Sequence, residues 1–385
     1  MWYTIDLLLS LYLGLSALYI LTFAVAAKRP LKKEANRSIA NNNSIGVLIP
    51  SYKEDRIILD TAQQALKQTY SNYKVIVIAD KMKPKTLKAL KKMPLILIEV
   101  SFAKSSKLKS LKYALEKIPQ FDSLVILDAD NVMQKNYLEN MNTEFNRGYP
   151  VVQSRRIAKI TKTNIQYLDA LSEAINNNIY NLGCNNLRFS SRFAGSGLLI
   201  DYKVFRNIIA NINEKAGMIG AEDKFAEMEL IKSKISIRYN KDITLFDAKT
   251  DTPKAFKNQR ARWITAQFYT LKTYFKTAFD ELLTKGNTDL FNKWLQMALP
   301  PRLLLFVFLG LGVLFHFFFN TGMWLFWAVG FAFNLLANLI SIPKTMYTKE
   351  TCIALISIPY LTLLTILSLF KIRKAKKEFL STREF

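Results

Sequence analysis

Solid apolar runs and one-sided helical patterns alternate along most of this chain, and their order predicts its architecture. Residues 5–27 form an apolar stretch long enough to span a bilayer. From residue 45 the pattern changes. Short Val/Ile/Leu runs at 45–49, 75–79, 95–100 and 124–127 read as strands. The segments between them, 55–68, 84–92 and 107–117, read as helices, the second with a proline at its start. The strand runs are continuous rather than alternating, as a sheet covered on both faces requires. Strands alternating with helices imply an α/β class with a mainly parallel sheet. Beyond residue 130 the pattern predicts a helix at 135–147, a strand at 151–153 and an amphipathic helix at 164–182. A Gly-rich turn entering a strand at 193–200 follows, then helices at 222–232 and 254–275. Three more apolar segments close the chain, 303–319, 323–342 and 351–370, the first two separated by the turn signal Asn320-Thr321-Gly322.

Charge then narrows the setting. The chain has 54 Lys+Arg against 30 Asp+Glu, a formal +24, which suggests a nucleic acid or an anionic membrane surface as neighbour. Half the residues are hydrophobic, and neither zinc-knuckle spacing nor an aromatic RNA-binding pattern occurs, so no nucleic-acid partner is expected. Lys28-Arg29-Pro30-Leu31-Lys32-Lys33 follows the first apolar run, which argues that the next region is cytoplasmic. A cleaved signal peptide is the rival, since Ala24-Val25-Ala26-Ala27 resembles a cleavage site. The first residues hold Asp6 and no Lys or Arg, which favours an uncleaved anchor in a cell membrane crossed several times. At the far end, three spans would put the tail outside, whereas Lys371-Ile372-Arg373-Lys374-Ala375-Lys376-Lys377 belongs inside by charge. Three spans are the expectation, with a re-entrant last segment around Pro359 as the alternative. The domain organisation is then an anchor at 1–33, a polar linker at 34–44 and a cytoplasmic α/β domain at 45–280. An interfacial segment at 281–302, transmembrane segments at 303–370 and a basic tail at 371–385 follow. Cys352 lies in an apolar run, so no disulfide with Cys184 is expected and a reducing compartment fits. His316, the one histidine, sits in an apolar segment, which leaves no His-rich metal site and no Ser/His/Asp triad outside the membrane.

The chemistry centres on Ser123-Leu124-Val125-Ile126-Leu127-Asp128-Ala129-Asp130. A buried strand ends here in two carboxylates, and open parallel sheets bind ligands just beyond their strands' carboxyl ends. Asp128 and Asp130 can hold one hard cation, Mg²⁺ or Mn²⁺, that completes its shell with substrate phosphates. An ordinary turn uses the same residues. Glu54 and Asp80, after the first two strands, would meet base or ribose donors of a nucleotide, and Lys107 its phosphates. Gly195-Ser196-Gly197 permits close backbone approach to a ligand, or is a bulge. Glu222 and Asp223 open a helix, where acids are ordinary dipole chemistry; a carboxylate there can also be a general base. In Gln259-Arg260-Ala261-Arg262-Trp263 the guanidinium forks suit phosphate and the Trp can stack on a sugar. A basic helix lying on the membrane surface reads the same way. No Gly-x-x-x-x-Gly-Lys loop is present, which excludes a P-loop NTPase.

Taken in order, Pro50-Ser51-Tyr52-Lys53-Glu54, Asp80, Asp128-Ala129-Asp130, Glu222-Asp223 and Gln259-Arg260-Ala261-Arg262-Trp263 resemble the motifs of membrane-bound family 2 glycosyltransferases. These include cellulose, chitin, hyaluronan and poly-N-acetylglucosamine synthases and ceramide glucosyltransferases. The resemblance implies a GT-A fold and inverting transfer of a hexosyl or N-acetylhexosaminyl unit from a nucleotide sugar, usually UDP-linked, to a glycan or lipid acceptor. It implies Asp223 as the base. Pro50, Tyr52, Glu54, Asp80, Lys107, Asp128, Gln259, Arg260 and Arg262 would meet the donor. Gly195, Ser196, Gly197, Glu222 and Trp263 would meet the acceptor, and Asp128 with Asp130 the metal. Lys53 departs from the family's usual Asn, and Ser106-Lys107-Leu108-Lys109-Ser110-Leu111-Lys112 keeps the family's Lys but not its Gly or Asn. Gln153-Ser154-Arg155-Arg156 looks like the Gln-x-Arg stretch of processive members. Three C-terminal spans are few for threading a polymer, so an oligomer, or one sugar added to a lipid, is the nearest alternative. An inactive nucleotide-sugar-binding subunit and a transporter are the readings from other classes.

Overall fold

A computed structural model describes residues 2–30, 41–212, 220–319 and 321–375. The expected linker residues 34–40, Asn320 and the tail from 376 lie outside the described residues. Eight strands form one sheet: β1 (Ile45–Tyr52), β2 (Tyr73–Asp80), β3 (Ile96–Val100), β4 (Ser123–Ile126), β5 (Val132–Met133), β6 (Val151–Ala158), β7 (Leu198–Asp201) and β8 (Arg238–Asp247). Their order is β3-β2-β1-β4-β7-β6-β8-β5. The pairs β1–β2, β1–β4, β2–β3 and β6–β8 are parallel, and β4–β7, β6–β7 and β5–β8 antiparallel. The sheet is thus α/β and mostly parallel, as the solid apolar runs require.

The strand order decides where a cleft can form. The chain builds outward from β1 through β2 to β3, then returns to add β4 on the other side of β1. Beyond the ends of β1 and β4 the following connections diverge, which is the usual ligand crevice of such sheets. Alternate residues of β1 feed two separate cores. Leu48 packs with the helices Lys107–Lys117, Tyr202–Asn211 and Glu222–Lys232. Val47 and Ile49 pack with Ile58–Ala65 and Tyr137–Asn146. Gly46 is required by this packing, since a Cβ there would press on Leu124 and Phe121.

A third core joins the sheet domain to the apolar helices Trp2–Ala26, Arg302–Phe318 and Trp324–Ser341. The first and third meet closely because both carry glycine at the crossing: a Cβ on Gly330 would stand 3.3 Å from the Cα of Gly14. His316 belongs to this core, with Nε2 3.1 Å from Asp6 Oδ1 and its ring stacked on Trp327. The helix expected at 164–182 begins as Asn164–Asn176 and widens into a π-helix, Asn177–Gly183, packed on the first apolar helix. A Cβ on Gly183 would overlap the carbonyl of Phe23. Asn186 Nδ2 donates 2.9 Å bonds to the carbonyls of Ala26 and Arg29, satisfying that helix's end.

Two segments depart from expectation. Tyr3–Ala26 and Trp324–Ser341 are each long and apolar enough to cross a membrane, but the last apolar segment is not one helix. It breaks before Pro359 into Lys349–Leu355 and Ile358–Leu369, bent by 55°. It leads into Ile372–Ala375, where Lys371 Nζ bonds Asn258 Oδ1 at 2.9 Å. The described start of the basic tail therefore lies beside Asn258 of the sheet domain. The helix expected at 254–275 runs from Pro253 to Lys285 and ends at Gly286, whose φ of +62° forms a left-handed cap.

Candidate active site

Asp128 follows β4, and the turn after it is held by Asn131. The Asp128 N–H donates to Asn131 Oδ1 at 3.0 Å, and Asn131 Nδ2 donates to Asp130 Oδ1 and Asp247 Oδ1, both at 3.2 Å. The turn and the candidate metal ligands are therefore one structure. Lys107, the first residue of its helix behind the cap Ser106, reaches across the cleft. Its Nζ donates to Asp128 Oδ1 and to the Gly195 carbonyl, both at 2.7 Å. Burial opposes the charge of Asp128, yet Lys107, then Arg156, hold its carboxyl below its usual range. Burial likewise opposes the charge of Lys107, but Asp128 and Asp223 outweigh it and raise its affinity for the proton.

Gly195 is the point where the candidate base meets the cleft. Its φ is +77°, a region L side chains rarely adopt, and a Cβ there would land on the Asp223 carboxylate. Asp223 and Glu222 form the first turn of Glu222–Lys232. Burial, helped by Asp223, pushes the Glu222 carboxyl up to about 7. Arg262 comes from the long helix and passes Gly220, and Glu222, Asp128 and Asp223 all act on its charge. Residues far apart in sequence thus converge: Lys107, Asp128, Gly195, Glu222, Asp223 and Arg262. A small pocket between Lys107, Glu222 and Asp223 is walled by Leu108, Leu111 and Phe193.

Along the same rim, Asp80 ends β2 beside Tyr52 in β1. It is 1 % exposed, and neither carboxylate oxygen has a hydrogen-bond partner among the described residues. Such a carboxylate is expensive until a donor group reaches it. Pro50 and Tyr52 lie in the last part of β1, and Glu54 follows the turn at Lys53. Lys53 has φ +56°, a conformation Asn adopts several-fold more readily than Lys, so the departure at this position is one of backbone cost.

Other candidates are placed elsewhere. Arg260 turns away from the cluster: its Nη2 bonds Asp169 Oδ1 at 2.8 Å, and its guanidinium lies 4.7 Å from the rings of both Phe256 and Trp263. Two neighbours on one helix turn cannot both face the cleft, and Arg262 takes that place. Trp263 stays 46 % exposed, whereas the side-chain oxygen of Gln259 is buried without a hydrogen-bond partner among the described residues. Ser196 and Gly197 lie beneath the surface. Ser196 Oγ accepts from Arg156 at 3.2 Å, and a Cβ on Gly197 would strike Leu245 and Ser154 Oγ. Both are packed against the residues that support the Gly195 loop.

Sequence reasoning missed the supports of this loop. Gln153 Nε2 donates to the carbonyls of Ser196 and Gly197 at 3.0 Å, while its Oε1 accepts from Ala194 N–H at 3.0 Å. Arg156 Nη2 bonds Asp247 Oδ2 at 2.5 Å and its Nε lies 3.4 Å from Glu173. Lys249 pairs with both of those carboxylates. Burial opposes the Asp247 charge, but Arg156 and Lys249 hold its carboxyl below the usual range. The stretch Gln153-Ser154-Arg155-Arg156 was the available signal.

The glycosyltransferase-like family 2 profile matches residues 42–266, which contain every strand and all these side chains but the tail contacts. The chain belongs to that family. No curated protein matches it. Among solved structures it is similar to the mannosyltransferase PcManGT from Pyrobaculum calidifontis, in complex with GDP-Man and Mn²⁺. The identity is 15%, the TM-score 0.53, and the match covers 88% of this chain and 98% of that one. S. aureus TarS is 13% identical with a TM-score of 0.44, over 86% of this chain and 55% of that one. At 15% identity the likeness to PcManGT is one of fold, the GT-A arrangement.

Proposed function

We propose that this glycosyltransferase is an inverting membrane enzyme. It moves one sugar from a nucleotide donor, UDP-linked by resemblance, to a polysaccharide or glycolipid acceptor at the cytoplasmic face of a cell membrane. The observation that carries the proposal is the seating of the Asp223 carboxylate on Gly195, within the field of Arg262 and beside the Lys107–Asp128 pair. Acids alone would make a helix start; acids facing a lysine, an arginine and a strand-end carboxylate make a place for a diphosphate and an acceptor hydroxyl.

In this reading Asp223 takes the proton of the acceptor hydroxyl. The freed oxygen pair forms the bond to the anomeric carbon as the carbon–oxygen bond to the diphosphate breaks, and the diphosphate leaves with that electron pair. Arg262 stabilises its growing charge with a fork suited to phosphate. Asp80 and Glu54 take the donor's base and ribose. The cation site is tested by its donor set: two hard carboxylates, Asp128 and Asp130, stand on one turn stiffened by Asn131. Among the described residues no group of three or more acidic, His or Cys side chains gathers for a metal. Two carboxylates suit Mg²⁺ or Mn²⁺, whose remaining ligands are phosphates and water. Bound there, the ion would neutralise leaving-group charge.

The domain boundaries above fit this use, with 45–280 as the catalytic unit. The broken last segment, and only two unbroken helices of spanning length among the described residues, favour a second reading, one sugar added to a membrane lipid rather than a threaded polymer. The test is to supply purified protein with UDP- and GDP-sugars plus Mg²⁺ or Mn²⁺ and measure nucleoside diphosphate release and product size. Asp223→Asn is expected to bind nucleotide and lose transfer; undiminished turnover refutes the assignment.

A further inference from the structure

We propose that Lys107 is a positioning residue: through its bond to the Gly195 carbonyl it fixes the loop on which the Asp223 carboxylate rests. The proposal rests on the reading of Asp223 as the base. It gives Lys107 an action on the acceptor half of the site, beyond any contact with the phosphates of the nucleotide sugar.

The loop before β7 is held carbonyl by carbonyl. The Ala194 carbonyl accepts from Arg156 Nη1 at 3.0 Å. The carbonyls of Ser196 and Gly197 accept from Gln153 Nε2, both at 3.0 Å, and that of Gly197 also from the Ser154 N–H at 2.9 Å. All these donors stand on β6. The Gly195 carbonyl is the exception. Its partner among the described residues is Lys107 Nζ, at 2.7 Å, which comes from the helix Lys107–Lys117 across the cleft.

Lys107 does little for its own helix. It is the first residue, where a cation opposes the helix dipole. Ser106 already caps that end, accepting the Lys109 N–H at 3.2 Å. What Lys107 gains lies across the cleft, at Asp128 Oδ1 and the Gly195 carbonyl, both at 2.7 Å. An ammonium carries three N–H groups. Two hold the strand-end carboxylate and the loop, and the third is left for a phosphate oxygen. One side chain can then serve the nucleotide sugar and brace the acceptor side together.

Loss of this bond reaches Asp223 through Gly195. Gly195 is buried, so without Lys107 its carbonyl becomes a buried acceptor lacking a partner, a cost that the loop relieves by moving. Its φ of +77° sets the backbone directly against Asp223, and a Cβ there would overlap the carboxylate oxygens. With no side chain between them, a turn of the Gly195 peptide displaces the surface on which the base leans. A reacting group misplaced by about 1 Å loses about a hundredfold in rate.

The full-length parent, Lys107→Met and Lys107→Arg are compared in dodecyl maltoside micelles. Two quantities are read: hydrogen–deuterium exchange without nucleotide, and kcat at saturating nucleotide sugar. In Lys107→Met the peptide covering residues 194–197 is expected to exchange about tenfold faster or more, and kcat to fall about a hundredfold. Lys107→Arg, which keeps N–H groups for the carbonyl, is expected to recover part of both. Exchange in Lys107→Met equal to that of the parent overturns the proposal. So does a kcat held within about twofold while only the KM for the nucleotide sugar rises, the mark of a phosphate contact alone. If Lys107→Met does not fold, Lys107→Ala takes its place with the same outcomes. The exchange measurement involves no nucleotide and holds whether or not Asp223 is the base. That reading fails separately, if Asp223→Asn keeps full turnover.

Discussion

Replacing Glu222 by Gln should make the protein more stable, by an amount that grows as the pH rises from 4.5 to about 7. Burial is the largest influence on this carboxyl and moves it from the ordinary 4.5 up to about 7. The folded state therefore prefers the protonated form, and ionisation costs folding free energy as the pH rises. Below 4.5 the group is protonated folded and unfolded alike, and Gln and Glu should be equivalent. Between 4.5 and about 7 the unfolded chain gives up the proton first, and the folded protein loses ground steadily. Above 7 the loss is complete, and at about 1.4 kcal/mol per pH unit it comes to roughly 3 kcal/mol. Spread over the unfolding entropy of a chain this long, that is about 4 °C in Tm. The assay is the difference in melting temperature between the Gln variant and the parent from pH 4.5 to 8.5, in one detergent. Using the difference removes the other titrating groups. A gap that grows through that window and levels off above 7 is expected. A gap independent of pH, or a variant that melts lower at pH 8.5, refutes the reasoning.

Three further outcomes follow from the site. Gly195→Ala places a methyl on the Asp223 carboxylate at a φ of +77°; turnover should fall about a hundredfold while nucleotide affinity holds, as judged by kcat against competition with the free nucleotide. Arg262→Gln should raise the donor KM about tenfold or more, whereas Arg260→Gln should leave that KM within about twofold and lower the Tm, because its partner is Asp169. Asp80→Asn should bind donor about tenfold more weakly, as read by competition with the free nucleotide, since neither carboxylate oxygen has a hydrogen-bond partner among the described residues and both are open to a donor group.

The legibility of the fold followed burial. β1, β2 and β4 are covered on both faces and announce themselves as unbroken apolar runs. β8 was not foreseen, because its first half, Arg238-Tyr239-Asn240-Lys241-Asp242, carries the polar pattern of a loop. It pairs with β6 through a bulge between Ser154 and Arg155, near the sheet's edge, where pairing rather than apolar content makes the strand. β5, Val132–Met133, is too short for any periodicity. The site divides in the same way. Asp128, Asp223 and Arg262 stand in short motifs whose chemistry is visible residue by residue. Of the cluster of Arg156, Glu173, Asp247 and Lys249, only Arg156 stands in one. Arg156 and Asp247 come together because β6 runs beside β8, with Ala158 opposite Asp247, and Glu173 is added from the helix Asn164–Asn176. Arg260 and Arg262 look equivalent on paper, and only the packing of Asp169 against one face of the helix separates them.

The helix Glu222–Lys232 joins the two halves of the molecule. Asp223 at its start faces the cleft, and Glu227, one turn further on the same side, is 0 % exposed and meets Lys293, which is also 0 % exposed, at 3.6 Å. Lys293 belongs to Thr288–Ala298, which bends by 60° into the apolar helix Arg302–Phe318. A pair so deeply buried is poor evidence of stabilisation, because removing both charges from water offsets most of their attraction. Its geometry suits orientation better. Glu227 also accepts the Phe193 N–H at 2.9 Å, and Lys224 approaches its other oxygen at 3.2 Å. One carboxylate thereby fixes the loop leading to Gly195, the helix carrying Asp223 and the helix leading to the apolar segments. A shift of the apolar helices against the sheet domain must then either drag the base relative to Gly195 or break a fully desolvated ion pair. Since the second is costly, the apolar helices and the Asp223 carboxylate are held at one fixed separation.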